Sequence, residues 1–104
     1  TSSIADNPQV LPAHIALEQN YPNPFNPSTK IRFRLRKSAE MKLRINNSLG
    51  QLIRKLHEGK MPAGEHEIEW DGRDDEDFMV PSGTYFYRLE SEGEVQTRKL
   101  VLVQ

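Results

Sequence analysis

The sequence predicts an all-β fold, an immunoglobulin-like β-sandwich of about seven antiparallel strands. Three observations point there. Short stretches alternate apolar and polar residues with period two. Turn-forming segments rich in Gly, Pro, Asn or Asp separate them at roughly the 8–12-residue spacing of sandwich strands. No stretch holds a convincing helical period over helix length. The chain of 104 residues has the usual size of one domain, and with 36% hydrophobic residues its core must be thin, as two facing sheets provide.

Taken in order, residues 1–14 (TSSIADNPQVLPAH) are polar, hold two prolines and show no period, so they read as a linker or frayed terminus. Ile15 to Tyr21 (IALEQNY) is a short first strand ended by a proline cluster. From Lys30, Ile31, Phe33 and Leu35 alternate with Arg32, Arg34 and Arg36, as on a strand with one face in the core. The next strand repeats this, with Met41, Leu43 and Ile45 inward and Lys42 and Arg44 outward, before a turn at Ser48–Gly50. In QLIRKLHEG, Leu52, Ile53 and Leu56 also fit one helical turn, but the short run between Gly50 and Gly59 selects a strand. Met61–Gly64 is a turn, and EHEIEW then sets His66, Ile68 and Trp70 against Glu65, Glu67 and Glu69. Asp71–Gly83 is a long acidic loop. TYFYRLE alternates Tyr85, Tyr87 and Leu89 against Phe86 and Arg88; SEGE is a hairpin turn, and VQTRKLVLV is the last strand. Phe33, Leu43, Ile45, Ile68, Tyr85 and Leu89 are the expected core. The basic ladders on the outer faces guard against edge-to-edge pairing.

Bulk properties exclude several functions. The net charge of -1, from 14 basic and 15 acidic residues, offers no electrostatic footprint for nucleic acid or an anionic membrane. No apolar run approaches the roughly 18 residues of a membrane-spanning helix, so no transmembrane segment is expected. Cysteine is absent, which removes disulfides, thiol catalysis and cysteine-ligated zinc and leaves the redox compartment open. Residues 1–9 lack the basic and apolar regions of a signal peptide, so a secreted form is expected to carry its signal upstream, in a longer parent chain.

Asp71, Asp74, Asp75, Glu76 and Asp77 suggest a calcium loop, but they lack EF-hand spacing, and Asp and Gly also favour turns for backbone reasons. His14, His57 and His66 lie far apart, with no paired-histidine zinc motif and no nucleophile elbow. Glu67 and Glu69 share an outward face with no cleft to separate their roles as a glycosidase pair. The expectation is no enzyme, no cofactor and no metal. Trp70, Tyr85, Phe86 and Tyr87 could form a platform for sugar or fill the core. In PSGTY, a Gly two residues before Tyr85 matches a tyrosine corner, in which the phenol bonds back to the preceding loop. In QNYPNPFNPST, each proline fixes φ and drives the residue before it toward extended geometry. Tyr21 and Phe25 are expected to anchor this segment on the sandwich edge, as a recognition surface or as an edge plug. The last strand is expected to leave its outer edge free for a partner strand.

The segments LEQNYPNPFNPSTKIRFRL (Leu17–Leu35), SLGQLIRKL, GEHEIEWDGRDDEDFMVPSGTYFYRLE and TRKLVLVQ occur in that order. Together they resemble the C-terminal sorting domain (type A) of the type IX secretion system, over roughly residues 15–104. The same pattern is similar to the immunoglobulin-like domain of the flagellar hook-capping protein. The resemblance implies a module carried at the C-terminus of a larger secreted cargo. Its partners would be the outer-membrane export machinery, a sortase-like peptidase and an upstream cargo domain of the same chain. Its destination would be the cell surface or the medium, by way of the periplasm and outer membrane. The family's proline motif falls on Pro22, Asn23 and Pro24, its Gly-x-Tyr motif on Gly83 and Tyr85, and its recognition strand on Lys99, Leu100, Val101 and Leu102. Two positions depart. Asp77 stands where the family usually has Gly, which implies a positive φ there, and Asn46–Asn47 replaces an aromatic–Asp pair. The rival readings are a carbohydrate-binding or adhesive accessory domain and a scaffold domain like that of the hook-capping protein.

Overall fold

Period-two patterning becomes seven strands in the computed structural model, which describes residues 13–103. They are β1 (Ile15–Leu17), β2 (Thr29–Leu35), β3 (Ala39–Asn47), β4 (Leu52–Met61), β5 (Gly64–Trp70), β6 (Gly83–Ser91) and β7 (Glu94–Leu102). All pairings are antiparallel, in a three-stranded sheet β1-β2-β5 and a four-stranded sheet β4-β3-β6-β7. Alternate residues point between the sheets: Ile31, Phe33 and Leu35 from β2, Met41, Leu43 and Ile45 from β3, Tyr85, Tyr87 and Leu89 from β6, Leu100 and Leu102 from β7. With Ile15, Leu17, Phe25, Trp70 and Val80 they form one core. Each large side chain buried there contributes about 1.5–3 kcal/mol over leaving it in water. On the outer face of the smaller sheet, Lys30, Arg32 and Arg34 stand opposite Glu69, Glu67 and Glu65. These exposed pairs set register and add little stability.

The structure corrects four expectations. β1 stops at Leu17, because the next residues turn inward to the phenol of Tyr87. That hydroxyl donates to the Glu18 carbonyl at 2.6 Å and accepts from the Asn20 N–H at 2.9 Å. β4 continues through Gly59 to Met61, and its helix-like spacing of apolar residues has a definite cause. Its register to β3 steps from Leu52 to Arg54 and from Lys55 to His57, so Ile53 and Leu56 are the extra residues of two bulges. Ile68 is only partly buried, because β5 is an edge strand with no neighbour on one side. His14, assigned to the linker, is buried; its carbonyl accepts from Arg36 N at 2.7 Å, and its Nε2 lies 3.1 Å from Ser91 Oγ. Residues 1–12 of that linker lie outside the described residues.

β1 belongs to one sheet but meets β7 of the other. The Glu94 carboxylate accepts from the N–H groups of His14 (2.9 Å) and Ile15 (3.3 Å). Gln96 accepts from Leu17 N at 2.8 Å and donates to the Ile15 carbonyl at 3.0 Å, and Arg98 Nε donates to the Leu17 carbonyl at 2.7 Å. Side chains from alternate positions of β7 thus complete the free edge of β1. The His14 N–H, ahead of the opposing effect of burial, holds the Glu94 carboxyl below the usual carboxylate range. The stabilisation it brings is present above the ordinary carboxylate value and lost as pH falls through the lowered one. β6 turns into β7 through Glu92 and Gly93, both at positive φ (53° and 78°), as a two-residue hairpin of matching twist requires.

Burial pushes the Tyr87 phenol up to about 12. Tyr87→Phe is predicted to destabilise the domain by about 1–3 kcal/mol in urea unfolding, because it orphans the buried Asn20 N–H and takes the donor from the part-buried Glu18 carbonyl. A loss below about 0.5 kcal/mol would contradict the clamp. The sign with pH follows from proton uptake. Between about pH 10 and 12 the unfolded phenol has ionised and the folded one has not, so wild-type stability falls by about 1.4 kcal/mol per unit. The gap between wild type and Tyr87→Phe should therefore narrow above about pH 10.

Candidate recognition site at the proline-rich end

Antiparallel register gathers four segments at one end of the sandwich: the proline segment before β2, the β3–β4 turn, the loop from Asp71 to Ser82, and the end of β7. The proline segment is held from within. Asn20, buried, donates through Nδ2 to Thr29 Oγ1 (2.9 Å) and to the Pro22 carbonyl (3.2 Å), and Thr29 Oγ1 donates to that carbonyl at 2.8 Å. Phe25 is buried against Trp70, ring centroids 5.5 Å apart. The Tyr21 side chain is 80% exposed, so the Phe25 ring anchors the segment, and Tyr21 ties it to Lys30 through the backbone alone. Gly72 makes room: a Cβ there would sit 3.4 Å from the Pro27 carbonyl oxygen, at a backbone φ of 78°.

The segment lies along β7. Asn23 Oδ1 accepts from Val101 N, Phe25 N donates to the Val101 carbonyl, and Val103 N donates to the Phe25 carbonyl, each at 3.0 Å. Gln19 Nε2 reaches the Lys99 carbonyl at 2.8 Å. The end of β7 is therefore not free for a partner strand; the chain's own proline segment occupies it in a parallel bridge from Phe25 to Leu102.

All nine residues singled out from the sequence meet here. Pro22, Asn23 and Pro24 are exposed beside Val101, which is half-buried; Gly83 pairs with Leu102 and Tyr85 with Leu100. Lys99 is exposed opposite Phe86. Tyr85, Leu100 and Leu102 are buried, so in the folded domain their side chains position the surface from within. Tyr85 forms the corner its motif suggests, donating to the Pro81 carbonyl at 2.6 Å, and burial raises its phenol. Tyr21, Leu49, Phe78, Met79 and Val103 add exposed apolar surface at this same end.

The aromatic platform for sugar is not present as a surface. Trp70 is fully buried, donates through Nε1 to the Arg73 carbonyl at 2.8 Å and packs edge-on against Tyr85 at 5.6 Å; Tyr87 is buried as well. The sequence did not single out Asn20 or Thr29, nor the clamp that the inward-facing Tyr87 makes, and these three shape the proline segment. Their signal was polarity at inward-facing positions, which needs a buried partner.

The acidic loop is built on its own carboxylates. Asp74 accepts from the N–H groups of Glu76 (2.9 Å) and Phe78 (3.0 Å). Asp75 N donates to the Ile53 carbonyl, and Asp75 Oδ1 accepts from Lys55 N, both at 3.0 Å, so the loop seals the start of the β4 edge. Asp71 accepts from Arg73 N at 3.1 Å. Among the described residues no group of three His, Cys, Asp or Glu side chains is disposed to hold a metal ion. Asp77 has φ 70°, the positive value its replacement of glycine implied. Asp77→Gly is predicted to stabilise the domain by about 0.5–1 kcal/mol by relieving that geometry, read from the urea midpoint; a destabilisation would reject strain at this residue. Millimolar calcium should leave the melting temperature where an equal ionic strength leaves it, whereas a specific site at hundredfold excess over Kd would add about 2.7 kcal/mol.

Comparison with known proteins places this geometry. A search of curated proteins gave no match. Among solved structures, the chain is similar to dimeric latent PorU from Porphyromonas gingivalis, with TM-score 0.70 and 22% identity, covering 91% of this chain and 10% of PorU. It is similar to FlgD from P. aeruginosa, with TM-score 0.57 and 21% identity, covering 71% of this chain and 59% of FlgD. PorZ of the P. gingivalis type IX secretion system aligns with TM-score 0.57 and 18% identity, over 83% of this chain and 11% of PorZ. The chain thus spans about a tenth of the length of PorU and PorZ, and identities this low establish the shared fold. The model of the FlgD Ig-like domain matches residues 20–94, from the proline segment to the last hairpin, and the chain belongs to that family.

Proposed function

We propose that this domain is a non-catalytic sorting module, which directs a larger secreted protein across the outer membrane through the type IX secretion system. The observation that carries the reading is the meeting of the proline segment with the end of β7. Two motifs nearly eighty positions apart, |i−j| = 78 for Asn23 and Val101, share one surface, held by hydrogen bonds that leave Pro22, Pro24 and Lys99 exposed. A partner reading that surface reads both motifs only when the domain is folded. The likeness to a domain of PorZ, described as an essential surface component of this secretion system, supports the setting. The partners in this reading are the export machinery and a sortase-like peptidase, and the destination is the cell surface or the medium. A scaffold role, as suggested by the FlgD family, is the second reading, and it predicts no dependence of export on this surface.

The whole chain, fused to a periplasmic reporter in a host carrying the export system, is predicted to take the reporter outside the cell. Truncation from Lys99 onward cannot test this, since it removes Leu100 and Leu102 from the core. Lys99→Ala combined with Pro22→Ala and Pro24→Ala removes exposed side chains instead. Lys99→Ala alone should change stability by no more than about 0.5 kcal/mol. The triple variant is expected to melt as a folded domain and leave the reporter in the periplasm. Wild-type export by that folded variant would sink the sorting reading.

A further inference from the structure

The two sheets are unequal, and the mismatch falls on one side. Three strands, β1-β2-β5, face four, β7-β6-β3-β4, and β1 sits over β7. The place opposite β4, beside β5, therefore holds no strand. Along it the inward-facing side chains of β4 are incompletely covered: Ile53, Leu56 and Met61 pack only partly against the core. His57, opposite inward-facing Leu43, has a buried Nε2 with no hydrogen-bond partner.

The adjoining edge of β5 is open. Lys30 exchanges both backbone hydrogen bonds with Tyr21, Arg32 accepts from Glu18 N, and Arg36 donates to His14. Even-numbered residues of β2 thus point their peptide groups toward β1, and odd-numbered ones toward β5. By register, Gly64, His66, Ile68 and Trp70 close the β2–β5 ladder, so Glu65, Glu67 and Glu69 direct their N–H and C=O groups away from the sheet. None of those groups has a hydrogen-bond partner among the described residues. Other edges are covered in part: β1 by β7 side chains, the end of β7 by the proline segment, and the start of β4 by Asp75 beside its two bulges. β5 pairs with β2 along all 7 residues without a register shift, and so presents a straight template.

We infer that the outer edge of β5 is a docking site for an extended peptide segment that alternates apolar residues with lysine or arginine. Charge complementarity selects the occupant. On the outer face Glu67 is paired with Lys30 (3.9 Å) and Arg32 (3.7 Å), whereas Glu65 and Glu69 have no ion pair among the described residues. An added strand sets its outward residues beside these glutamates, where basic side chains are favoured. Its inward residues lie over Leu56 and Met61, where apolar ones are favoured. β2 already meets the opposite edge of β5 with this pattern, as TKIRFRL. A second copy pairing through β5 would set glutamates against glutamates, which disfavours self-association. The site lies along the side of the sandwich and does not rest on the export reading.

The probe is a capped TKIRFRL peptide titrated into the full chain and followed by amide NMR, with TEIEFEL as its charge-reversed control. The basic peptide should shift the Glu65, Glu67 and Glu69 amides and slow their hydrogen exchange. Its affinity should fall about tenfold or more in Glu65→Lys/Glu69→Lys, which turns two attractive pairs repulsive. Glu67→Pro should abolish binding while keeping the β2 ladder, because the lost N–H points outward. If that variant does not fold, the double lysine variant decides. Equal binding of TEIEFEL, binding indifferent to the lysine substitutions, shifts confined to another strand edge, or dimerisation through β5 in the absence of peptide would each overturn the inference.

Discussion

β1 carries its own peptide groups to the boundary between the sheets, and no strand of either sheet pairs with its outer edge. Glu94, Gln96 and Arg98 solve that problem with side-chain atoms, bonding the N–H groups of His14, Ile15 and Leu17 and the carbonyls of Ile15 and Leu17. Peptide groups excluded from water need such partners, and an unpaired one costs about 1–3 kcal/mol. Much of the remaining architecture depends on this seam. It joins the two sheets along one side, brings His14 into the fold, and fixes where the chain leaves β1. From that point the chain reaches β2 by way of the end of β7.

That route explains the proline segment. Tyr87 rises from the core of the larger sheet to take the Glu18 carbonyl and the Asn20 N–H, and Asn20 in turn holds Pro22 and Thr29. The segment cannot join a sheet as a regular strand, because three prolines lack the N–H a ladder uses. It lends its remaining groups instead to the last residues of β7, with Phe25 as its buried foot beside Trp70. Edge protection and recognition are therefore one feature. The segment that blocks edge-to-edge pairing at the end of β7 also exposes Pro22, Asn23 and Pro24. On the other side of the molecule, Asp75 performs the same sealing for β4, which gives the acidic loop a structural task for its carboxylates.

The fold was legible because it follows from local patterning. Alternation in β2, β3, β6 and β7 assigns each side chain to a face, and a sandwich is what such strands build when no helix intervenes. The tyrosine corner was legible too, since Gly83 and Tyr85 carry it within three residues of chain. Asp77 revealed its positive φ by standing where glycine is usual. Strand β4 was the ambiguous case, and its ambiguity was physical: two bulges place Leu52, Ile53 and Leu56 at a spacing that imitates a helical turn.

By itself the sequence determined the strands, their inward faces, the turn chemistry and the segments able to form a recognition surface, because those depend on neighbours within a few residues. Tertiary structure alone decided which edges are closed and by what. It placed Asn23 on Val101, Asp75 on Lys55 and Gln96 on Leu17, contacts between residues from 20 to 79 positions apart that no periodicity encodes. It likewise buried Leu100 and Leu102 while leaving Lys99 in water, and left the side of β5 without a neighbour. The reason is that a strand's pattern states which face is apolar, while the fate of its edge depends on whatever the rest of the chain brings alongside.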